Sequence, residues 1–130
     1  MKFSLSGKNA IVTGGSKGIG EAITVALAEA GAITYFTYNG SEEKAKLICE
    51  KPSILNKVRS FKVDVSKELE IINFYKELDK EDFQIDILVN NAGILRDKSF
   101  SKVSDEDFRL VLEVHLMGSV NCSKAVWEIM

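Results

Sequence analysis

The chain has 130 residues, 45% of them hydrophobic and 28% charged, with a formal net charge of −2, the balance of one soluble globular domain over residues 1–130. Its 17 basic residues are scattered, which speaks against nucleic acid or an anionic membrane as partner, and no apolar run approaches the ~20 residues of a membrane span. The opening MKFSLSGKNA lacks the apolar stretch of a signal peptide, and one histidine with two distant cysteines, Cys49 and Cys122, makes a structural zinc site a poor reading; a reducing, cytoplasmic setting is expected.

Strand-like and helix-like segments alternate along the chain. KNAIVT (8–13) is a short β-rich run that ends in glycines. GEAITVALAEAG follows with Ile19, Ile23, Ala26, Leu27 and Ala30 at helical spacing and Gly31 as its C-terminal stop. AITYFTY (32–38) is β-branched and aromatic, hence a second strand. Ser41 is placed to cap a helix whose inner face is Ala45, Ile48 and Cys49. VRSFKVDV (58–65) reads as a third strand, after which Ser66 caps a helix with Ile71, Phe74, Tyr75 and Leu78 on one side. IDILVNNAG (85–93) is a fourth strand, apolar at Ile85, Ile87, Leu88 and Val89. Ser104-x-x-Asp107 has the spacing of a capping box and opens a helix that runs to the end of the chain. Strands and helices alternating in this way make βαβ units around a parallel sheet. The fold class is α/β, a doubly wound parallel sheet of the Rossmann type.

Between the first strand and the first helix lies VTGGSKGIGEA. Gly14, Gly18 and Gly20 remove side chains where the backbone turns sharply, and the helix that follows directs its free N–H groups at the loop. That is the arrangement in which a diphosphate is held. Glycines alone also serve ordinary turns; the strand–glycine–helix context favours dinucleotide binding.

The spacing is G-x-x-x-G-x-G. In this form TGGSKGIG resembles the cofactor signature of the short-chain dehydrogenase/reductase family. NNAG (Asn90 to Gly93) resembles its second signature, at the end of the fourth strand. Asp64-Val65 matches the family position that meets the adenine ring. The resemblance covers nearly the whole chain and implies a nicotinamide cofactor. It implies contacts from Gly14, Ser16, Lys17, Gly18, Ile19 and Gly20 in the loop, and from Tyr38 and Asn39 at the end of the second strand. Further contacts are implied for Asp64, Val65, Asn90, Ala92 and Gly93. Asn90 is open to two readings, sheet scaffold and cofactor contact.

An acid at the end of the second strand would bond the ribose 2′-hydroxyl of NAD. Here Tyr38, Asn39, Gly40 and Ser41 stand there, with no acid before Glu42. A carboxylate ~4 Å from a 2′-phosphate would be opposed by roughly 4 kcal/mol per unit charge, so its absence favours NADP(H) over NAD(H). Lys17 resembles the basic residue of NADP-preferring members; the alternative is a solvated loop lysine.

His115 falls on a stripe with Phe108, Val111, Leu112, Ser119, Cys122 and Val126, which predicts an inward-facing ring. In the family, asparagine usually fills this place in N-x-x-G and supports a proton relay. His115-Leu116-Met117-Gly118 stands there instead, so His115 is both a candidate catalytic residue and a candidate core histidine. The family's Tyr-x-x-x-Lys pair is absent, because Asn39, Glu42 and Asp79 follow Tyr35, Tyr38 and Tyr75 at the fourth position. The chain thus matches the N-terminal half of the family's domain and is itself expected to be inactive.

The stretch from NNAGILRDKSF onward resembles the 3-hydroxyacyl-CoA dehydrogenase region of multifunctional β-oxidation enzymes. TYNGSEEKA is closer to bacterial 3-oxoacyl-[acyl-carrier-protein] reductases. Both imply interconversion of 3-oxoacyl and 3-hydroxyacyl thioesters carried on CoA or acyl carrier protein, by an enzyme that is a homo-oligomer in its full-length form. A nucleotide-binding module without chemistry and a chain that binds nothing specifically are the competing readings.

Overall fold

The computed structural model describes residues 3–130; Met1 and Lys2, the first residues of the stretch tested for a signal peptide, lie outside it. Four strands form one parallel sheet in the order β3-β2-β1-β4. They are β1 (Asn9–Val12), β2 (Ile33–Tyr38), β3 (Val58–Lys62) and β4 (Ile87–Val89). The helices are α1 (Gly18–Glu29), α2 (Glu42–Cys49), α3 (Glu68–Lys80), α4 (Asp105–Leu112) and α5 (Gly118–Val126). The α/β expectation holds.

The period of two along a strand sends alternate residues to opposite faces. Val12 and Phe36 point to one face and pack with Ala28 of α1 and Ala45 and Ile48 of α2. Ile11 and Tyr35 point to the other and pack with Ile71, Phe74 and Leu78 of α3 and Cys122 and Val126 of α5. The sheet is therefore sandwiched between two helical layers, each over its own core. Burial pushes the Cys122 thiol up to about 12 and raises the phenol of Tyr75 well above its usual value.

Gly31 closes α1 as the sequence indicates: its N–H and that of Ala32 donate to Ala28 O and Leu27 O, at 3.1 Å each. The face of α1 differs from expectation. Gly20, Thr24 and Ala28 are buried, whereas Ile19 is 75% exposed and Ala26 is also exposed. Ile23 and Leu27 of the expected stripe do pack at the margin of this core, while the small residues Gly20, Thr24 and Ala28 take the most buried line against the sheet.

Two expected caps are also corrected. Ser41 occupies the N-cap of α2 but makes no side-chain capping bond. Ser66 does not cap α3, which starts from Lys67; its N–H and hydroxyl both donate to Asp64 Oδ1, at 3.0 and 2.6 Å. The aspartate captures the serine in a local turn, and β3 stops at Lys62 rather than at Val65. Ser104 does cap α4, accepting the Asp107 N–H at 3.1 Å. The Asp107 carboxylate also lies 3.0 Å from Lys98 Nζ and 3.5 Å from Arg96 Nε.

The expected single last helix is interrupted. Glu113–Met117 form a π-helical turn between α4 and α5, which inserts an extra residue into the winding. Leu110, Val114, Gly118, Cys122 and Val126 then face the core or its margin, every fourth residue. The C-terminal half of the expected stripe stands, while its N-terminal half is displaced by one position. His115 is exposed rather than buried, its ring set against the Gly93–Ile94 backbone instead of in the core. No helix among the described residues is long and apolar enough to cross a membrane.

Candidate functional site

Because all four strands are parallel, their C-terminal ends share one edge of the sheet, the edge at which such folds bind ligands. Thr13 follows β1 there. Its N–H donates to Val89 O at 3.0 Å, and its Oγ1 accepts the N–H groups of Asn91 at 3.1 Å and Ala92 at 3.0 Å. Asn91 replies by donating Nδ2 to Thr13 O and Gly14 O, both at 3.0 Å. On the other side, Gly14 N–H donates to Thr37 Oγ1 at 3.3 Å and Gly15 N–H to Thr37 O at 2.9 Å. The glycine loop is thus strapped to the exits of β4 and β2 at once.

Packing dictates several glycines. A Cβ on Gly14 would lie 2.8 Å from Ala92 Cα, and one on Gly15 would lie 2.5 Å from Phe36 Cβ. On Gly20 it would overlap Gly14 O and the Asn91 side chain. Gly18 is different: φ is +54°, and apart from its chain neighbours and its own helix backbone nothing lies within 4 Å of where its Cβ would stand. Backbone conformation, not crowding, requires glycine there.

Lys17 occupies the N-cap of α1 in extended conformation and makes no capping bond with its side chain. The first N–H groups of α1 are therefore left without a side-chain cap, beside the open flank of Gly18. Glu21, the one acid in this first turn, is drawn to Lys51 Nζ at 2.8 Å, so its charge is offset. A helix start with these features suits an anion. Ser16 is buried in the loop, while Lys17 and Ile19 are exposed along its rim.

The other candidates stand along the same edge. Tyr38, half-buried, and exposed Asn39 follow the Thr37 anchor at the exit of β2. Asp64 lies past β3; its N–H donates to Glu70 at 2.8 Å, Oδ1 is held by Ser66, and Oδ2 lies 3.8 Å from Lys67 Nζ. Val65 is buried against Gly118, where a Cβ would come 2.9 Å from Val65 Cγ2. Asn90 turns away from the loop and donates Nδ2 to Ser123 Oγ on α5 at 3.1 Å. Asn91, not singled out from the sequence, is the loop's anchor, together with Thr13 and Thr37. The paired asparagines at a strand end were the available signal; which one faces the loop depends on the strand's alternation.

His115 lies over the segment after β4. Its Nε2 is 3.0 Å from Ile94 N and 2.9 Å from Ile94 O. A Cβ on Gly93 would sit 2.5 Å from the ring's Cε1, so glycine there admits the imidazole. The His115 carbonyl accepts the Ser119 hydroxyl at 2.8 Å. The same segment is tied to α4 through Asp107, whose carboxyl is held below the usual range, chiefly by the Lys98 hydrogen bond. No group of three or more metal-binding side chains is found among the described residues.

The sequence profile of the short chain dehydrogenase family matches residues 8–130. The chain belongs to the short-chain dehydrogenase/reductase family. It is 37% identical to an acetoacetyl-CoA reductase of Paracoccus denitrificans, across 93% of this chain and 48% of that protein. It is 36% identical to a 3-oxoacyl-[acyl-carrier-protein] reductase of Staphylococcus epidermidis, across 92% and 49%. A farnesol dehydrogenase of Aedes aegypti is 39% identical, across 96% and 52%. A short chain dehydrogenase of Burkholderia cenocepacia, solved in complex with NADP, superposes with a TM-score of 0.90 at 33% identity, across 97% of this chain and 52% of that one. The chain spans about half the length of the relatives it matches. In this short-chain dehydrogenase/reductase chain, the glycine loop and the NNAG segment are one hydrogen-bonded unit.

Proposed function

We propose that this chain is the nicotinamide-dinucleotide-binding part of a short-chain oxidoreductase, with NADP(H) favoured over NAD(H). The carrying observation is the Gly14–Gly20 loop: strapped at both sides, open at Gly18, and leading into a helix without a side-chain cap. In this reading the N–H groups around Ser16, Gly18, Ile19 and Gly20 hold the diphosphate. Asp64 and Val65 lie toward the adenine, and Asn90, Ala92 and Gly93 toward the nicotinamide. Lys17 and the acid-free Tyr38–Asn39 exit of β2 suit a 2′-phosphate. The bound cofactor supplies or takes up a hydride.

The substrate proposal is a 3-oxoacyl or 3-hydroxyacyl thioester on CoA or acyl carrier protein, in a homo-oligomeric enzyme of the cytoplasm. It rests on the thioester reductases among the relatives; the farnesol dehydrogenase leaves a prenyl alcohol as the competing substrate. His115 serves as a positioning residue, since its Nε2 is directed at the Ile94 backbone. Titrating NADP⁺ and NAD⁺ into the chain tests the cofactor reading. NADP⁺ is expected to bind tighter, and Tyr38→Asp to narrow or reverse the difference. Tighter NAD⁺ binding by the unaltered chain would contradict the preference, and no binding of either would remove the whole reading.

A further inference from the structure

The one acid in the first turn of α1, Glu21, stands at the helix end that the glycine loop turns toward an anion. The positive end of a helix dipole favours a carboxylate there, but that carboxylate repels any second anion brought to the same end. Glu21 is not left unpaired. Its Oε1 accepts Lys51 Nζ at 2.8 Å, from 30 positions further along the chain. Exposed ion pairs usually contribute little, because two long side chains must be ordered to make them. Lys51, between α2 and β3, starts from a fixed base. Its N–H donates to Ile48 O at 3.2 Å, and its carbonyl accepts the Ile54 N–H at 3.1 Å. It also precedes Pro52, the one proline of the chain, whose ring restricts the preceding residue to extended backbone, as its φ of −62° and ψ of 124° show. Ile54 then buries the connector in the core that α1 and α2 share.

We infer that Lys51 is a positioning residue of the dinucleotide site and acts through Glu21. It holds the Glu21 carboxylate and offsets its charge, so that the start of α1, which has no side-chain cap, keeps its attraction for a diphosphate. The inference rests on the cofactor reading above and extends it to a residue outside the glycine loop. Lys51 makes no contact with the cofactor in this scheme. Its value to binding therefore exists only while Glu21 carries a charge, and removing that charge makes Lys51 dispensable. Lys17, on the rim of the loop, differs in this respect, since its charge would act on the cofactor directly.

Isothermal titration of NADP⁺ into the 130-residue chain at low ionic strength tests this, with the thermal midpoint to verify folding. Lys51→Met keeps the aliphatic stem and removes the charge. It is expected to weaken binding about three-fold, the range of one charge at a helix end. Glu21→Gln should bind at least as tightly as the unaltered chain, and adding Lys51→Met to it should cost no further affinity. Lys51→Arg should keep the unaltered affinity. The difference between Lys51→Met and the unaltered chain should close in 1 M salt, where charges are screened over about 3 Å; a loss caused by altered packing would persist. If both chains bind NADP⁺ equally at low salt, the inference is overturned and the cofactor reading stands. A Lys51→Met loss of the same size in the Glu21→Gln background would also overturn it, since Lys51 would then act without Glu21. Absence of NADP⁺ binding by the unaltered chain would remove the cofactor reading and this inference together.

Discussion

Gly18 and His115 show how much a single position controls at this site. A Cβ at Gly18 meets nothing beyond its chain neighbours and its own helix backbone, but the residue must adopt a left-handed backbone, costing roughly 1–2 kcal/mol and more for a β-branched residue. Gly18→Val is therefore expected to leave a folded chain of lower stability and to reduce NADP⁺ affinity at least about ten-fold, read by isothermal titration. Unchanged affinity in the folded variant would remove the loop from the binding site. At His115 one nitrogen stands opposite both the N–H and the C=O of Ile94. A neutral imidazole serves one of them at a time, whereas an asparagine amide has a donor and an acceptor for both. His115→Asn is expected to retain cofactor affinity and thermal midpoint, and His115→Leu to lower both. Equal behaviour of the two would reduce the ring to packing.

Among the elements, β4 is held at its start by polar contacts. Among the described residues it pairs only with β1, and its start is fixed by Asp86. The Asp86 carboxylate accepts the Asn9 N–H at 2.8 Å and Lys8 Nζ at 3.1 Å, while Asn9 Nδ2 donates to Gln84 O at 2.7 Å. These contacts lower the Asp86 pKa, the Asn9 backbone bond most of all. A depressed folded-state pKa contributes stability that is present above the unfolded value of about 3.9 and is lost as pH falls through the folded value. Asp86→Ala should accordingly lower the urea midpoint at pH 7, with the gap to the unaltered chain closing in the acid range. A gap of constant size would assign the loss to something other than ionisation. The strands, α1, α2 and α3 were legible because period and turn residues speak locally. The π turn was not: nothing in EVHLM distinguishes it from α-helix, and the displaced phase arises from α5 docking on Val65 through Gly118. Similarly, the roles of Asn90 and Asn91 follow from the direction in which β4 leaves the sheet, which composition does not encode. Ser66 does not cap α3 because its hydroxyl and N–H both donate to the carboxylate of Asp64, which draws the hydroxyl away from the helix N–H groups it would otherwise accept.

For the molecule as a whole, the cofactor edge and the chemistry are separable. Hydride transfer to a ketone leaves an oxygen that needs a positioned proton donor. None of Tyr35, Tyr38 and Tyr75 is followed by lysine at the fourth place, and Tyr75 is buried in the α3 layer with its phenol raised. The 130-residue chain is expected to bind NADPH without oxidising it in the presence of acetoacetyl-CoA, followed by absorbance of the reduced cofactor. Enzyme-like turnover would mean that a donor lies among these residues and that the assignment of the site is wrong.

The burial of Cys122 gives the fold a chemical clock. A thiol pushed up to about 12 is almost wholly protonated at pH 8 and reacts with alkylating reagents only when α5 lifts from α3, since the thiolate is the nucleophile. Cys49, half-buried on the opposite layer, is accessible without that motion. The labelling rate of Cys122 relative to that of Cys49 therefore follows opening of the α3–α5 layer in the native chain, separately from global unfolding.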